Sequence, residues 1–385
     1  MNTKIIATLI VSAFFSSNAY GFFWNKDKTD YTHVEDIFFA AKAGNMTAKR
    51  PLFEYKYNKF CKGGSIYTTK YDKYNKAGGD HTSGNGRMKS WFFSKSFGHA
   101  ISAYLEGESA PDLSYKKDEV VDEFIPYLVQ AAKDKYFTVN KWKKNAPSAG
   151  YAQTMILINL SVFMDFADYK GLWKPGQREE IVKWGNIIYE HSHYGHHANG
   201  GREQRHRWPD TVSKAAAAYM LWGYVNKDIK VFKDGYRDLL QEYNKIPEDG
   251  KYHQHIFGPI AGGIQKSWDL FLENKTLGDL VIASYVGEIV GLQTFDKPNK
   301  KGGNIRKAIE YLGQMSTDPK VLKGQDERHL HNMRADGNSW MTVYRLLDET
   351  DTNPLVDLHL KSSEKRGYGF QQILNYSRCI ANEVN

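Results

Sequence analysis

From Gly84 onward, apolar residues recur three and four positions apart in one segment after another, with few runs that alternate in the manner of strands. A chain patterned this way folds into helices that each carry a dry stripe and pack stripe against stripe. Val120, Val121, Phe124, Ile125, Leu128 and Val129 form one stripe, and Ile181, Val182, Trp184, Ile187 and Ile188 form another, with Pro175 where a first helical turn tolerates it. Later stripes are Ile229 to Tyr243, Leu277 to Val290, and Ile305 to Leu312, and Trp340, Met341, Tyr344 and Leu347 mark a last helix. The segments between them are rich in Gly, Asn, Asp and Pro, as at Lys143 to Gly150, Gly195 to Arg202, Gly258 to Gly263 and Asp296 to Gly303. The spacing predicts about ten helices in an all-α body, arranged as helical hairpins in a bundle or a closed ring.

Three regions follow. Residues 1–21 hold a single Lys4, an apolar run from Ile5 to Phe15, and the small-residue sites Ser17-Asn18-Ala19 and Ala19-Tyr20-Gly21. That layout is an export signal, too short to span a bilayer. It places the mature chain in the periplasm or outside the cell, with no membrane partner once the leader is gone. Residues 22–83, rich in Lys, Tyr and Gly, read as an arm or lid over the helical body, which occupies 84–385.

The net charge of +8 calls for an acidic partner. Export makes nucleic acid the poorest candidate, leaving an anionic surface or an acidic polysaccharide. Aromatic residues make up 14% of the chain, with 25 Tyr and 9 Trp, and aromatic faces beside Lys and Arg suit sugar rings that bear carboxylates. Many of them are also ordinary core residues. Cys61 and Cys379, one near each end of the mature chain, are the only cysteines. They either pair, in an oxidising compartment, or remain two buried thiols.

Four constellations can carry chemistry. Tyr67 to Ala77 interleaves Lys70, Lys73 and Lys76 with Tyr71 and Tyr74, a strip able to clamp an anionic polymer or simply to be solvated. His191 to Asp210 gathers His191, His193, His196, His197 and His206 with Arg202, Arg205, Arg207 and Trp208. Histidine moves protons near neutral pH and arginine neutralises carboxylates. The basic neighbours and the lack of a ligand spacing such as HExxH speak against a metal there, and no cofactor is expected. Gln265 to Asp279 carries Trp268, Asp269, Glu273, Asn274, Lys275 and Asp279 on or just before a helix, with 275 and 279 on one face. Gln325 to Trp340 adds Arg328, His329, His331 and Arg334.

Tyr67-Thr68-Thr69-Lys70-Tyr71 followed by Asn75-Lys76-Ala77 resembles the Ser-Lys-Tyr-Glu-Gly-Ser-Asp-x-Ala segment of the periplasmic alginate lyase family, in which a nearby cysteine also precedes the segment, as Cys61 does here. The order of the helical stripes, the break before Trp208 and the late Ser339-Trp340-Met341 helix are compatible with it. The resemblance implies an incomplete (α/α) toroid of helical hairpins with an N-terminal lid, acting as a monomer without a metal. It also implies β-elimination of an acidic polysaccharide: a uronate carboxylate is neutralised, a base takes the C5 proton, and an acid protonates the leaving oxygen. Lys70 matches the family's lid lysine, and His206 matches the histidine of its Asn-Asn-His motif, with Arg205 where an asparagine stands in the family. The His-Asn-Tyr-Ala-Leu motif is met by Glu273-Asn274-Lys275-Thr276-Leu277, so Lys275 replaces the proton-transfer tyrosine, and Trp268 replaces an arginine.

The roles expected on this basis are His206 as proton acceptor, Arg207 or Arg205 as carboxylate neutraliser, Asn274 as a donor to the carboxylate, and Lys275 as an acid or base whose pKa is lowered by desolvation beside other cations. Lys70, Tyr71, Arg205, Trp208, Trp268 and Arg328 are expected to line the substrate groove. Two other readings stand beside this one. A glycoside hydrolase would use a carboxylate pair such as Asp210 with Asp269 or Glu273. A non-catalytic protein would hold an anionic polysaccharide in the same basic, aromatic groove.

Overall fold

The computed structural model describes residues 51–57, 61, 84–138, 147–197, 209–252, 270–323, 340–348 and 353–354. Within them the chain is helical: α1 (Gly84–Ser109), α2 (Tyr115–Asp118), α3 (Ile125–Lys133), α4 (Pro147–Lys170), α5 (Gln177–His197), α6 (Pro209–Asn226), α7 (Ile229–Tyr243), α8 (Leu270–Ile289), α9 (Ile305–Thr317), α10 (Pro319–Lys323) and α11 (Met341–Leu347). A π-helical turn, Glu119–Phe124, joins α2 to α3 and carries the first apolar stripe through without a break. Among the described residues, no helix is long and apolar enough to cross a membrane.

Two kinds of helix build two rows. α7 and α9 are amphipathic: Val231, Phe232, Tyr236, Leu239 and Tyr243 point inward on one, and Ile305, Ala308, Ile309 and Leu312 on the other. Asp228 and Asn304 cap them, their side chains accepting backbone N–H groups that the first turn leaves unpaired. α4, α6 and α8 have no polar face: every residue from Ala152 to Met164 and from Val212 to Gly223 is buried. Such helices need neighbours on all sides. α1, α4, α6, α8 and α11 pack in that order as an inner row, while α3, α5, α7 and α9 back it from outside. This is the all-α body of helical hairpins that the apolar pattern led us to expect, in the incomplete (α/α) toroid that the resemblance implies.

The direction of the helices follows from their contacts. Asp168 near the end of α4 meets Arg178 at the start of α5, and Asn186 and Ser192 of α5 meet Trp222 and Tyr219 of α6, so α5 runs against both. α4 and α6 are therefore parallel, and their first turns lie at the same end. α6 and α7 approach closely because two glycines allow it. A methyl group on Gly223 would sit 2.4 Å from the backbone nitrogen of Phe232, and one on Gly235 would sit 2.6 Å from that of Met220.

Part of the arm is described, and it straps the inner row. The Leu52 backbone N–H donates to Asp165 of α4 (2.7 Å), and the Tyr285 hydroxyl of α8 donates to the Leu52 carbonyl (2.6 Å). Phe53 stacks on Tyr285 with ring centroids 5.1 Å apart, and Tyr55 meets Phe166 edge-on. Burial pushes the Asp165 carboxyl up to about 8, against the pull of the Leu52 N–H, with nearby Asp168 adding to the rise. Cys61 is buried and disulfide-bonded, and the only other cysteine in the chain is Cys379, which lies outside the described residues.

Gly235→Ala should destabilise the protein by about 1–3 kcal/mol through overpacking against α6, read as a lower midpoint in denaturant at unchanged slope. Asp165 binds its proton more tightly folded than unfolded, so its contribution falls as pH rises from about 4 to about 8 and is flat above that. Asp165→Asn keeps an acceptor for Leu52 and cannot ionise. Its gain in Tm over the unsubstituted protein should be larger at about pH 8 than at about pH 5, and an equal shift at both would show that Asp165 is not buried as the acid.

Candidate active site

The first turns of α4, α6 and α8 converge on a patch of buried titratable side chains. α6 presents Asp210 and, one turn later, Lys214; α8 presents Lys275 and then Asp279. The order of charge is reversed between two helices that run in the same direction, so the pairs match across the interface. Lys275 Nζ lies 3.1 Å from Asp210 Oδ2, and Lys214 Nζ lies 3.1 Å from Asp279 Oδ1. Lys214 and Asp279 are essentially sealed, at 1% and 0% side-chain exposure, while Lys275 and Asp210 keep 10% and 12%.

Tyr151, in the first turns of α4, completes the patch. Both ammonium groups stand 5.0 Å from the centre of its ring. Tyr151 is half-buried, so it is the more accessible edge of a cluster whose charges lie deeper. Burial alone would raise its phenol, but Lys214 and Lys275 outweigh burial and hold it below the ordinary tyrosine range. Burial pulls Lys275 down, yet Tyr151 and Asp210 more than compensate and leave it above the usual lysine range. Asp279 is pushed up to about 6 by burial, with Lys214 opposing.

Neighbouring groups extend the patch. Asn274 is buried, and its Oδ1 accepts from the indole N–H of Trp340 at 3.1 Å, which fixes the amide. Gly278 makes room for that indole: a methyl group there would lie 2.4 Å from Trp340 Cδ1. The Tyr252 hydroxyl donates to Glu242 at 2.5 Å, and Lys245 pairs with the same carboxylate at 2.6 Å. Tyr252 also feels the charges of Glu273 and Asp210, which places the end of α7 beside the same helix ends.

Of the expected site residues, the structure brings Asn274 and Lys275 to this patch, and Asp210 with them. The expectation of a lysine with a lowered pKa is reversed. Lys275 does not sit among cations alone; a carboxylate and a phenol hold its proton, so it serves as a fixed positive charge. Glu273 is buried. His206, Arg207, Arg205, Trp208, Lys70, Tyr71, Trp268 and Arg328 lie outside the described residues. His191 and His193 belong to α5, and His193 Nε2 faces Asp234 of α7 at 3.2 Å. Tyr189 donates to the same carboxylate at 2.6 Å and Arg237 pairs with it at 2.9 Å, so this histidine clamps two outer helices together. Tyr151, Lys214 and Asp279 were not singled out as catalytic from the sequence. The signal was present as an Asp-x-x-x-Lys on one helix and a Lys-x-x-x-Asp on another.

Removing one partner of a sealed pair strands the other charge in a dry interior. Lys214→Met should cost about 3–5 kcal/mol, and the double substitution Lys214→Met with Asp279→Leu should recover most of that loss, measured as a denaturant double-mutant cycle. Additive losses would show that the two groups are not coupled.

No family model matches the chain, and no curated protein matches it. Among solved structures, it is similar to alginate lyase A1-III complexed with a tetrasaccharide, seen in two variants of that enzyme. The first match has a TM-score of 0.48 and 16% identity and covers 68% of this chain and 69% of the other. The second has a TM-score of 0.46 and 14% identity and covers 83% and 87%.

Proposed function

We propose that this protein is an exported lyase that cleaves an acidic, uronate-containing polysaccharide by β-elimination. The observation that carries the reading is the placement of two fixed lysine cations, Lys214 and Lys275, at the end of the inner helices into which the segments 198–208 and 253–269 lead. Elimination needs a proton-moving group whose acidity is set by fixed charge nearby and, separately, a cation that neutralises the uronate carboxylate so that the C5 hydrogen becomes acidic. The basic, aromatic segments of the sequence support this, since 198–208, 253–269 and 324–339 are joined covalently to the first turns of α6 and α8 and to Trp340 ahead of α11. Arg207, just before α6, is assigned to the carboxylate, with Asn274 as a further donor, and His206 in the same segment is the proton acceptor expected from the sequence. Lys70 and Tyr71 close over the polymer, and Arg205, Trp208, Trp268 and Arg328 line its path.

The net charge of +8 favours such a polymer. The apolar leader and a disulfide-bonded Cys61 fit an oxidising compartment such as the periplasm. The protein acts as a monomer in this reading. Hydrolysis fits less well, because Asp210 is held by Lys275; Asp269, the other acid that reading named first, lies outside the described residues.

Incubation with alginate, glucuronan, pectate and glycosaminoglycans, followed by ultraviolet absorbance of new double bonds, tests the proposal. Absorbance should rise on at least one polyuronate, and Arg207→Ala should lower kcat/KM by about a hundredfold or more. New reducing ends without absorbance would establish hydrolysis instead, and tight binding without turnover would establish a carrier.

A further inference from the structure

Lys275 stands where the resembling family places its proton-transfer tyrosine, and as a paired cation it cannot take that duty. The patch itself contains a substitute. Tyr151 comes from α4 rather than α8, yet its ring lies 5.0 Å from the Nζ of Lys275 and equally far from that of Lys214. The charged groups that act on it are Lys214 and Asp210 of α6 and Lys275 and Asp279 of α8. Each lysine is anchored by its own aspartate, so neither can swing away, and the positive field at the phenol is built into the helix packing. Tyr151 is half-buried, whereas Lys214 and Asp279 are sealed.

We infer that Tyr151 is the catalytic residue that moves the proton in the elimination, both removing it from C5 and returning it to the departing oxygen. This rests on the lyase reading above. The phenolate oxygen takes the C5 hydrogen as a proton, and the C5–H electron pair becomes the C4–C5 double bond. The C4–O bond breaks with its electrons on the glycosidic oxygen, which then takes the proton from the Tyr151 hydroxyl and restores the phenolate. No oxidant, reductant or second substrate enters. The flanking ammonium groups favour the phenolate at the start and after each cycle, which is what a tyrosine needs in order to act as a base near neutral pH.

One group serving both ends of the reaction reaches only one face of the sugar. The substrate must then carry its C5 hydrogen and its C4 oxygen on the same face, as glucuronate and mannuronate do and galacturonate does not. The inference therefore names a stereochemical class of polyuronate as well as a residue.

Four measurements on the full-length protein test it. Tyr151→Phe should lower kcat on the cleaved polymer by about a hundredfold or more with KM little changed and helical circular dichroism intact. Ultraviolet titration should find a phenol ionising below the ordinary tyrosine range that is missing from Tyr151→Phe; this needs no substrate. Fluorotyrosine placed at position 151, which retains the shape and lowers the phenol's own pKa, should move the rising limb of the pH–rate profile to lower pH. Glucuronan or mannuronan should be cleaved and pectate should not.

Full activity in Tyr151→Phe, an unmoved pH limb, or no such phenol in the titration would overturn the assignment while leaving the lyase reading in place. So would cleavage of pectate. A protein that releases unsaturated ends from no polyuronate would overturn both.

Discussion

Two ion pairs crossed between parallel helices organise this protein's chemistry. α6 and α8 are buried on all sides, and charges inside such an interface are tolerated only when each finds its opposite. Asp210 with Lys275 and Lys214 with Asp279 satisfy that demand, and they do so in one register. A slide of one helix by a turn would face Asp210 against Asp279, or Lys214 against Lys275, and either juxtaposition is far worse than lost apolar contact. The pairs therefore fix how α6 and α8 sit, and with them the position of Tyr151 between two ammonium groups.

The same arrangement separates two uses of lysine. A lysine that is to accept a proton must be poorly stabilised as a cation; one that shapes the acidity of a neighbour must be well stabilised. Lys275 is of the second kind because Asp210 and Tyr151 both hold it. Its effect is transmitted to the phenol.

The outer helices were legible in the sequence because water faces one side of them. The run from Ile229 to Tyr243 has a polar back, and its apolar residues return with a helical period that matches α7 to the residue. α4 and α6 lack that contrast. Ala215 to Trp222 is buried throughout, so apolar content indicates burial and gives no direction. The site divided along similar lines. Asn274 and Lys275 were found because they stand on a helix that resembles a known motif, and 275 and 279 were seen to share a face. Their partners on α6 were not, since complementarity between two helices is visible only once they are known to be parallel neighbours. Tyr151 is one of 25 tyrosines, and nothing near it in sequence sets it apart.

The strap formed by Leu52 and Phe53 reaches residues far along the chain, with 233 positions separating Leu52 from Tyr285. Contacts of such separation form late, since the entropy of closing a long loop must be met before the contact returns anything. Leu52 and Phe53 thus have no berth until α4 and α8 stand side by side with α6 between them. Docking of the strap therefore reports that α4 and α8, which lie far apart in the chain, have both taken their places.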